Sequence, residues 1–305
     1  MQTTIEVKGL SKIYGSQRAV NGISFEARQG EILGFLGPNG AGKSTTLKML
    51  SAYILPDEGD AQLCGYSIRN QPEEVKRRIG YLPEHNPLYK DMYVHEYLLC
   101  IARLYKLKQA TQKVKSLIEL TGLGPEQNKR IGAISKGYRQ RVGLSQALIH
   151  DPEILILDEP TSGLDPNQLI DIRKLIKDFG KQKTLIFSSH IMQEVQALCD
   201  RVIIINKGNL IANQEIHELQ NGLHSNQHYV VEFKQKILPS GYDHKSIKVK
   251  KLDEHHYRFS SSSSIHLGEE IFELAKQNNW IILEMVKEKN NLEDVFNSLT
   301  KPNQE

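Results

Sequence analysis

Four short runs are apolar on successive positions: "EILGFLG" (31–37), "EILIL" (153–157), "TLIFSS" (184–189) and "RVIII" (201–205). A strand with one wet face alternates, whereas a strand covered on both faces is apolar throughout. These runs therefore predict buried parallel strands, with crossover helices in the stretches between them. Residues from about 86 to 150 carry no such run and are punctuated by Pro87, Gly122, Gly124, Pro125 and Gly132. That stretch predicts a helical subdomain inserted into the α/β core. From about 226 the pattern changes to alternation ("HYVVEFK", "SIKVKKL", "HYRFS"), followed by one amphipathic helix near 267–278. The expected organisation is a domain over 1–222 and a small α+β domain over 226–305. Ser260–Ser264 is expected to be an exposed turn.

Composition narrows the class. The chain has 305 residues, 39% apolar and 25% charged, with a formal net charge of +3. This is ordinary for a globular protein, and the mild charge makes no case for a nucleic-acid partner. The three cysteines, Cys64, Cys100 and Cys199, are too dispersed for a disulfide framework or a metal site, which predicts a reduced, cytoplasmic setting. The start, "MQTTIEVKGL", has no basic-then-apolar signal pattern, and no aliphatic run approaches the roughly 18 residues of a membrane span. His244, His255 and His256 lack fixed ligand spacing and are not read as a metal site.

The chemistry starts at "GFLGPNGAGKST". Gly37, Gly42, Lys43 and Ser44 stand at the fixed positions of G-x-x-x-x-G-K-[ST], after a predicted strand and before a predicted helix. Glycines let backbone N–H groups face a β-phosphate, Lys43 reaches the β- and γ-phosphates, and the Ser44 hydroxyl can bind Mg²⁺. In "ILILDEP" the carboxylates of Asp158 and Glu159 emerge at the C-terminal edge of a buried strand. Asp158 is expected to hold Mg²⁺ through a water, and Glu159 to orient or deprotonate the attacking water. His190, ending "SSH", is a candidate γ-phosphate contact, although a strand-end histidine taken alone is more often a surface residue. In "ISKGYRQR" (134–141), Ser135 reads as the cap of a helix whose start, beside Lys136, Arg139 and Arg141, suits an anion.

Phosphate loop, "ISKGY", "ILILDEP", "SGLD" and "SSH", in this order, resemble the ATP-binding cassette (ABC) transporter ATPases over about residues 4–220. Within that family the chain is similar to the single-cassette subunits of bacterial ABC-2-type exporters. "IEVKGLSKIYGSQRAVNGISFEARQGEILGFLGPNGAGKSTTLKML" and the extra C-terminal domain give it particular likeness to the gliding-motility-associated subunit. The resemblance implies a P-loop NTPase cassette, with a mixed-sheet core and inserted helical subdomain, binding ATP and Mg²⁺ and hydrolysing ATP. It implies nucleotide contacts from Tyr14, stacking on adenine, and from Gly37, Pro38, Asn39, Gly40, Ala41, Gly42, Lys43, Ser44 and Thr45. It further implies that Ser135, Lys136, Gly137 and Tyr138 of the signature and Asp165 of "SGLD" act on ATP held by the other subunit of a head-to-tail dimer. The second subunit would be another copy or a paralogous cassette. The partner to be driven would be an integral membrane permease, with the chain peripheral on the inner face of the cell membrane.

Two positions depart from the family pattern: Glu84 stands where Gln is usual, and Lys136 where the first signature Gly is usual. Ser44, Asp158 and Glu84 together form the candidate Mg²⁺ set. The alternative is a soluble or regulatory ABC ATPase not coupled to transport. Tyr89, Tyr93 and Tyr97 recur every fourth residue and are expected to share one helix face, either as subdomain core or as a socket for a short helix of the permease.

Overall fold

The computed structural model describes residues 2–219, 227–237, 247–261 and 266–288. The chain divides into two compact units, Met1–Glu215 and Ile216–Glu305. No helix among the described residues is long and apolar enough to cross a membrane.

The first unit has two sheets. β1 (Thr3–Tyr14) and β2 (Gln17–Arg28) form a long antiparallel hairpin. With β4 (Glu58–Leu63) and β5 (Tyr66–Ser67) they make a sheet of order β2-β1-β4-β5. The central sheet contains β3 (Ile32–Leu36), β6 (Ile79–Leu82), β7 (Ile154–Asp158), β8 (Thr184–Ser189), β9 (Arg201–Asn206) and β10 (Asn209–Glu215), in the order β10-β9-β3-β8-β7-β6. Its pairs are parallel except for the hairpin of β10 with β9. Every residue of β3, β7 and β8 is buried, the physical reason for their unbroken apolar runs. One buried cluster joins the sheets through residues such as Ile5, Val7 and Leu10 on one side and Phe35, Ile156 and Ile203 on the other. The β1–β2 hairpin left no clean signal because register shifts after Val7 and Lys12 break the period of two.

Parallel register decides what meets at the sheet edge. Leu36 pairs with Ser189, Asp158 with Ser188, and Leu82 with Leu157. The residues that follow these strand ends therefore emerge along one edge: Gly37, Glu84, Glu159 and His190.

α1 (Lys43–Leu50) and α2 (Pro72–Arg78) precede β6, and between β6 and β7 the chain is helical. It forms α3 (Val94–Leu104), α4 (Ala110–Leu120) and α5 (Lys136–Leu148), joined through 3₁₀ turns at Gly124–Glu126 and Ile131–Ala133. α5 lies so close to β6 that a Cβ on Gly80 would meet the Ala147 carbonyl oxygen at 2.1 Å. The expected tyrosine stripe is not one helix face. Tyr93 is extended and bridges to Arg130, so α3 starts only at Val94 and Tyr89 precedes it. Tyr97 alone is helical and buried, donating to Gln146 Oε1 at 2.6 Å, whereas Tyr89 and Tyr93 are exposed. Burial pushes the Tyr97 hydroxyl up to about 12.

In the second unit, β11 (Gln227–Phe233), β12 (Ile247–Lys251), β13 (His256–Ser261) and β14 (Ile282–Glu288) form an antiparallel sheet of order β12-β13-β11-β14. The helix from Leu267 to Gln277 packs Leu267, Ile271 and Ala275 into a core with Val231, Phe233, Tyr257 and Phe259. The serine run is not a turn throughout: Ser260 and Ser261 continue β13, and Ser261 is buried. Ser262–Ser264, His244 and the expected boundary at 222–226 lie outside the described residues. His255 Nδ1 meets the Phe233 carbonyl at 3.0 Å, and His256 pairs with Asp253.

Candidate nucleotide site

The phosphate loop joins β3 to α1 (Lys43–Leu50). Its glycines are forced. Gly42 has φ 107°, and a Cβ there would stand 2.5 Å from the Ala19 carbonyl oxygen. A Cβ on Gly37 would stand 2.4 Å from the Ile205 carbonyl oxygen. First-turn amides of α1 have no intrahelical acceptor, and that turn carries no acidic side chain. The loop thus presents N–H groups and a positive dipole end to an anion. Lys43 is nearly enclosed. Its ammonium donates to the Gly37 carbonyl at 2.7 Å and lies 3.5 Å from Glu159 Oε1.

β7 and β8 fix the acidic pair. Ser188 Oγ donates to Asp158 Oδ1 at 2.7 Å and accepts the Glu159 N–H at 2.9 Å. Ser44 Oγ donates to the same Asp158 oxygen at 3.1 Å, tying α1 to the end of β7. Burial pushes the Asp158 carboxyl above its ordinary range, against the two hydroxyl hydrogen bonds, and the charge of Glu84 adds to the rise. Glu159 has a left-handed backbone (φ 50°), a strained turn that aims its carboxylate at both Lys43 and His190. His190 Nδ1 donates to Glu159 Oε2 at 2.9 Å, the carboxylate being an acceptor only.

Lys43, Ser44, Glu159 and His190 face a pocket of about 450 Å³. It is lined by Tyr14, Gln17 and Ala19 of the β1–β2 hairpin, by 39–45 of the phosphate loop, and by Glu84, Glu159, Ser162 and His190. Gly37 and Pro38 turn their carbonyls to Lys43 instead. Ser44, Glu84 and Asp158 share the lining of an adjoining cavity of about 360 Å³. This donor set, a hydroxyl and two carboxylates, consists of hard oxygens and fits a divalent cation such as Mg²⁺.

The second group of expected residues lies elsewhere in the unit. Ser135 caps α5, accepting the Tyr138 N–H at 3.4 Å. Asp165 caps α6 (Pro166–Gly180), accepting the Gln168 N–H at 2.9 Å. The two helix starts touch: a Cβ on Gly137 would fall 2.4 Å from Gln168 Oε1, and one on Gly163 would fall 2.2 Å from Lys136 Nζ. None of Ser135, Lys136, Gly137, Tyr138 or Asp165 lines the pocket holding the phosphate loop. Sequence reasoning missed Ser188, whose hydroxyl organises both carboxylates, and also Gln17, Ala19 and Ser162. Only "SS" before His190 hinted at Ser188, and its role depends on register.

A family profile described as ABC transporter matches residues 20–162. The bacitracin transport ATP-binding protein BcrA of Bacillus licheniformis is 34% identical over 304 residues, covering 97% of each chain. The Nod factor export ATP-binding protein I of Ralstonia nicotianae is 38% identical over 218 residues, covering 70% of this chain and 68% of its own. A solved ATP-binding subunit of an ABC transporter superposes with a TM-score of 0.65 at 29% identity, covering 72% of this chain and 92% of its own. A dimeric post-hydrolysis cassette bound to ADP and Pi gives the same score at 21% identity, over 70% of this chain and 98% of its own. With the phosphate loop, Glu159 and His190 converging on one pocket and Asp158 on the cavity beside it, this protein belongs to the ABC transporter family, as an ATP-binding subunit that hydrolyses ATP.

Proposed function

We propose that two copies of this chain close head-to-tail around two MgATP, each supplying what the other lacks, and so drive a separate membrane permease of the ABC-2 exporter type. The carrying observation is the division of the expected site. Phosphate loop, Glu159 and His190 line one pocket, whereas Ser135, Gly137 and Asp165 cluster at the starts of α5 and α6 and contribute nothing to its lining. In the closed pair, Ser135 and the N–H groups of the α5 start meet the γ-phosphate bound by the partner. Lys136 adds a cation there. Tyr14 stacks on the base, and Lys43 with the loop amides holds the phosphates. Mg²⁺, bound by Ser44, Asp158 and Glu84, would neutralise phosphate charge. Glu159 orients and deprotonates water, and His190 holds Glu159 and the γ-phosphate in place.

Exporter-type transport rests on the relatives named for bacitracin transport and Nod factor export. The transporter names of these relatives support a permease partner, and such a partner would place the chain on the inner face of the cell membrane. The gliding-motility likeness of residues 5–50 and the four-stranded sheet of the second unit support the finer assignment within that group. The test is Glu159→Gln. Sedimentation should show this variant as a stable ATP-bound dimer without turnover, and wild-type turnover in that variant overturns the assignment.

A further inference from the structure

α7 (Met192–Leu198) carries a carboxylate that lines neither the nucleotide pocket nor the cavity beside it. Glu194 is 2% exposed. Its Oε2 accepts from Thr161 Oγ1 and, at 3.1 Å, from Ser189 Oγ. Its Oε1 lies 3.8 Å from Arg173 Nη2 on α6. The Arg173 Nε, also buried, has no hydrogen-bond partner among the described residues.

Such an arrangement is a poor way to gain stability alone. A buried carboxylate with one distant cation gives up its hydration for little, and an apolar side chain would pack there at lower cost. Its hydrogen bonds fall on the two turns that matter for the reaction. Thr161 is two residues past Glu159. Ser189 immediately precedes His190, and its hydroxyl also accepts the Ile191 N–H at 3.0 Å, so it spans His190 from both sides. One carboxylate therefore joins the segment after Glu159 to the segment bearing His190, while the two functional side chains meet at 2.9 Å in front of it. Arg173 extends the tie to α6, whose cap is Asp165.

We propose that Glu194 is a positioning residue: by holding the Thr161 and Ser189 hydroxyls together, it sets the alignment of Glu159 with His190. The inference rests on those two residues forming the catalytic pair. A misalignment of this kind slows the chemical step and leaves ground-state binding alone, since Glu194 does not line the nucleotide pocket.

The experiment compares E194A, E194Q and S189A in the wild-type chain, and E194A in an H190A background, by steady-state and single-turnover MgATP hydrolysis. E194A should lower kcat roughly 10- to 100-fold, with KM for MgATP within about twofold of wild type. E194Q retains an acceptor oxygen for both hydroxyls and should recover most of that loss. In the H190A background the same E194A change should cost less than about twofold, because the alignment it sets no longer exists. Unchanged kcat in E194A overturns the proposal. So does an equal fall in both backgrounds, or a rise in KM parallel to the fall in kcat, for either marks a merely structural role. If E194A does not fold, S189A, which deletes one hydroxyl, carries the decision. A lower kcat at unchanged KM supports the proposal, and wild-type kcat overturns it. E159Q and H190A are the controls. Wild-type turnover in either one sinks the catalytic pair itself, an outcome distinct from failure at Glu194.

Discussion

Lys43 Nζ lies 3.5 Å from Glu159 Oε1, and both side chains are nearly shut off from water. In low dielectric each partly neutralises the other, so the cation proposed to hold phosphate already has an anionic neighbour. In the proposed site, incoming phosphates compete with Glu159 for Lys43 and leave Glu159 facing negative charge and His190.

Replacing Glu159 by Gln removes that competition and that repulsion together. MgATP should bind the E159Q chain several-fold more tightly than wild type, while kcat falls by about 10²- to 10⁴-fold, as expected for loss of a general base. Nucleotide titration by calorimetry checks the affinity, and weaker binding in E159Q would contradict the role given to the Lys43 contact.

Gly80 tests the packing that orients α5. A methyl there would enter the Ala147 carbonyl at 2.1 Å, and neither backbone can withdraw without shifting α5 from β6. G80A should destabilise the first unit by about 1–3 kcal/mol, the usual cost of overpacking. Denaturant unfolding reads this directly.

The tyrosines separate into two classes. Y97F deletes the buried bond to Gln146 and should cost about 1 kcal/mol of stability. Tyr89 and Tyr93 are exposed, so Y89A with Y93A should leave folding and basal ATPase intact. If these side chains form a permease socket, the double variant loses co-purification with the permease. Retained co-purification excludes the socket.

His256 gives the second unit a pH signature. Its Nδ1 is 2.9 Å from Asp253 Oδ2 and its Nε2 3.9 Å from Glu232 Oε2, and Asp253 above all raises its pKa above the ordinary 6.5. The raised value means that the pair stabilises the fold fully below pH 6.5 and loses its effect as pH rises through the folded value. Asp253, held down to about 2 mainly by the N–H groups of His255 and His256, contributes above its ordinary 3.8 and loses that as pH falls towards 2. NMR titration should place the His256 midpoint above 6.5, and D253N should return it towards that value.

Much of the first unit was legible because its chemistry is written in contiguous residues. A phosphate loop needs its glycines, Lys43 and Ser44 at fixed spacing, and a fully buried strand must be apolar throughout. What failed to show depends on register or on a backbone kink. Ser188 and Ser189 look like filler until β8 pairs with β7 and β3, which sets one beside Asp158 and the other opposite Leu36. Glu194 reads as an ordinary helix residue until Thr161 and Ser189 converge on it. The tyrosine spacing misled because Tyr93 pairs with Arg130 and delays the helix by a turn. Ser261 misled because a strand pairing with Gln227 and Ile247 can bury a serine that composition alone assigns to a turn.

The most direct test mixes two disabled chains, one carrying Lys43→Ala and the other Ser135→Arg. Each alone should be inactive. In a mixed dimer, the intact phosphate loop of the second chain faces the intact α5 start of the first, so one whole site is rebuilt and ATPase activity should return on mixing. If mixed dimers form by sedimentation and turnover stays absent, or if either chain is fully active by itself, the reaction centre is not shared between two copies.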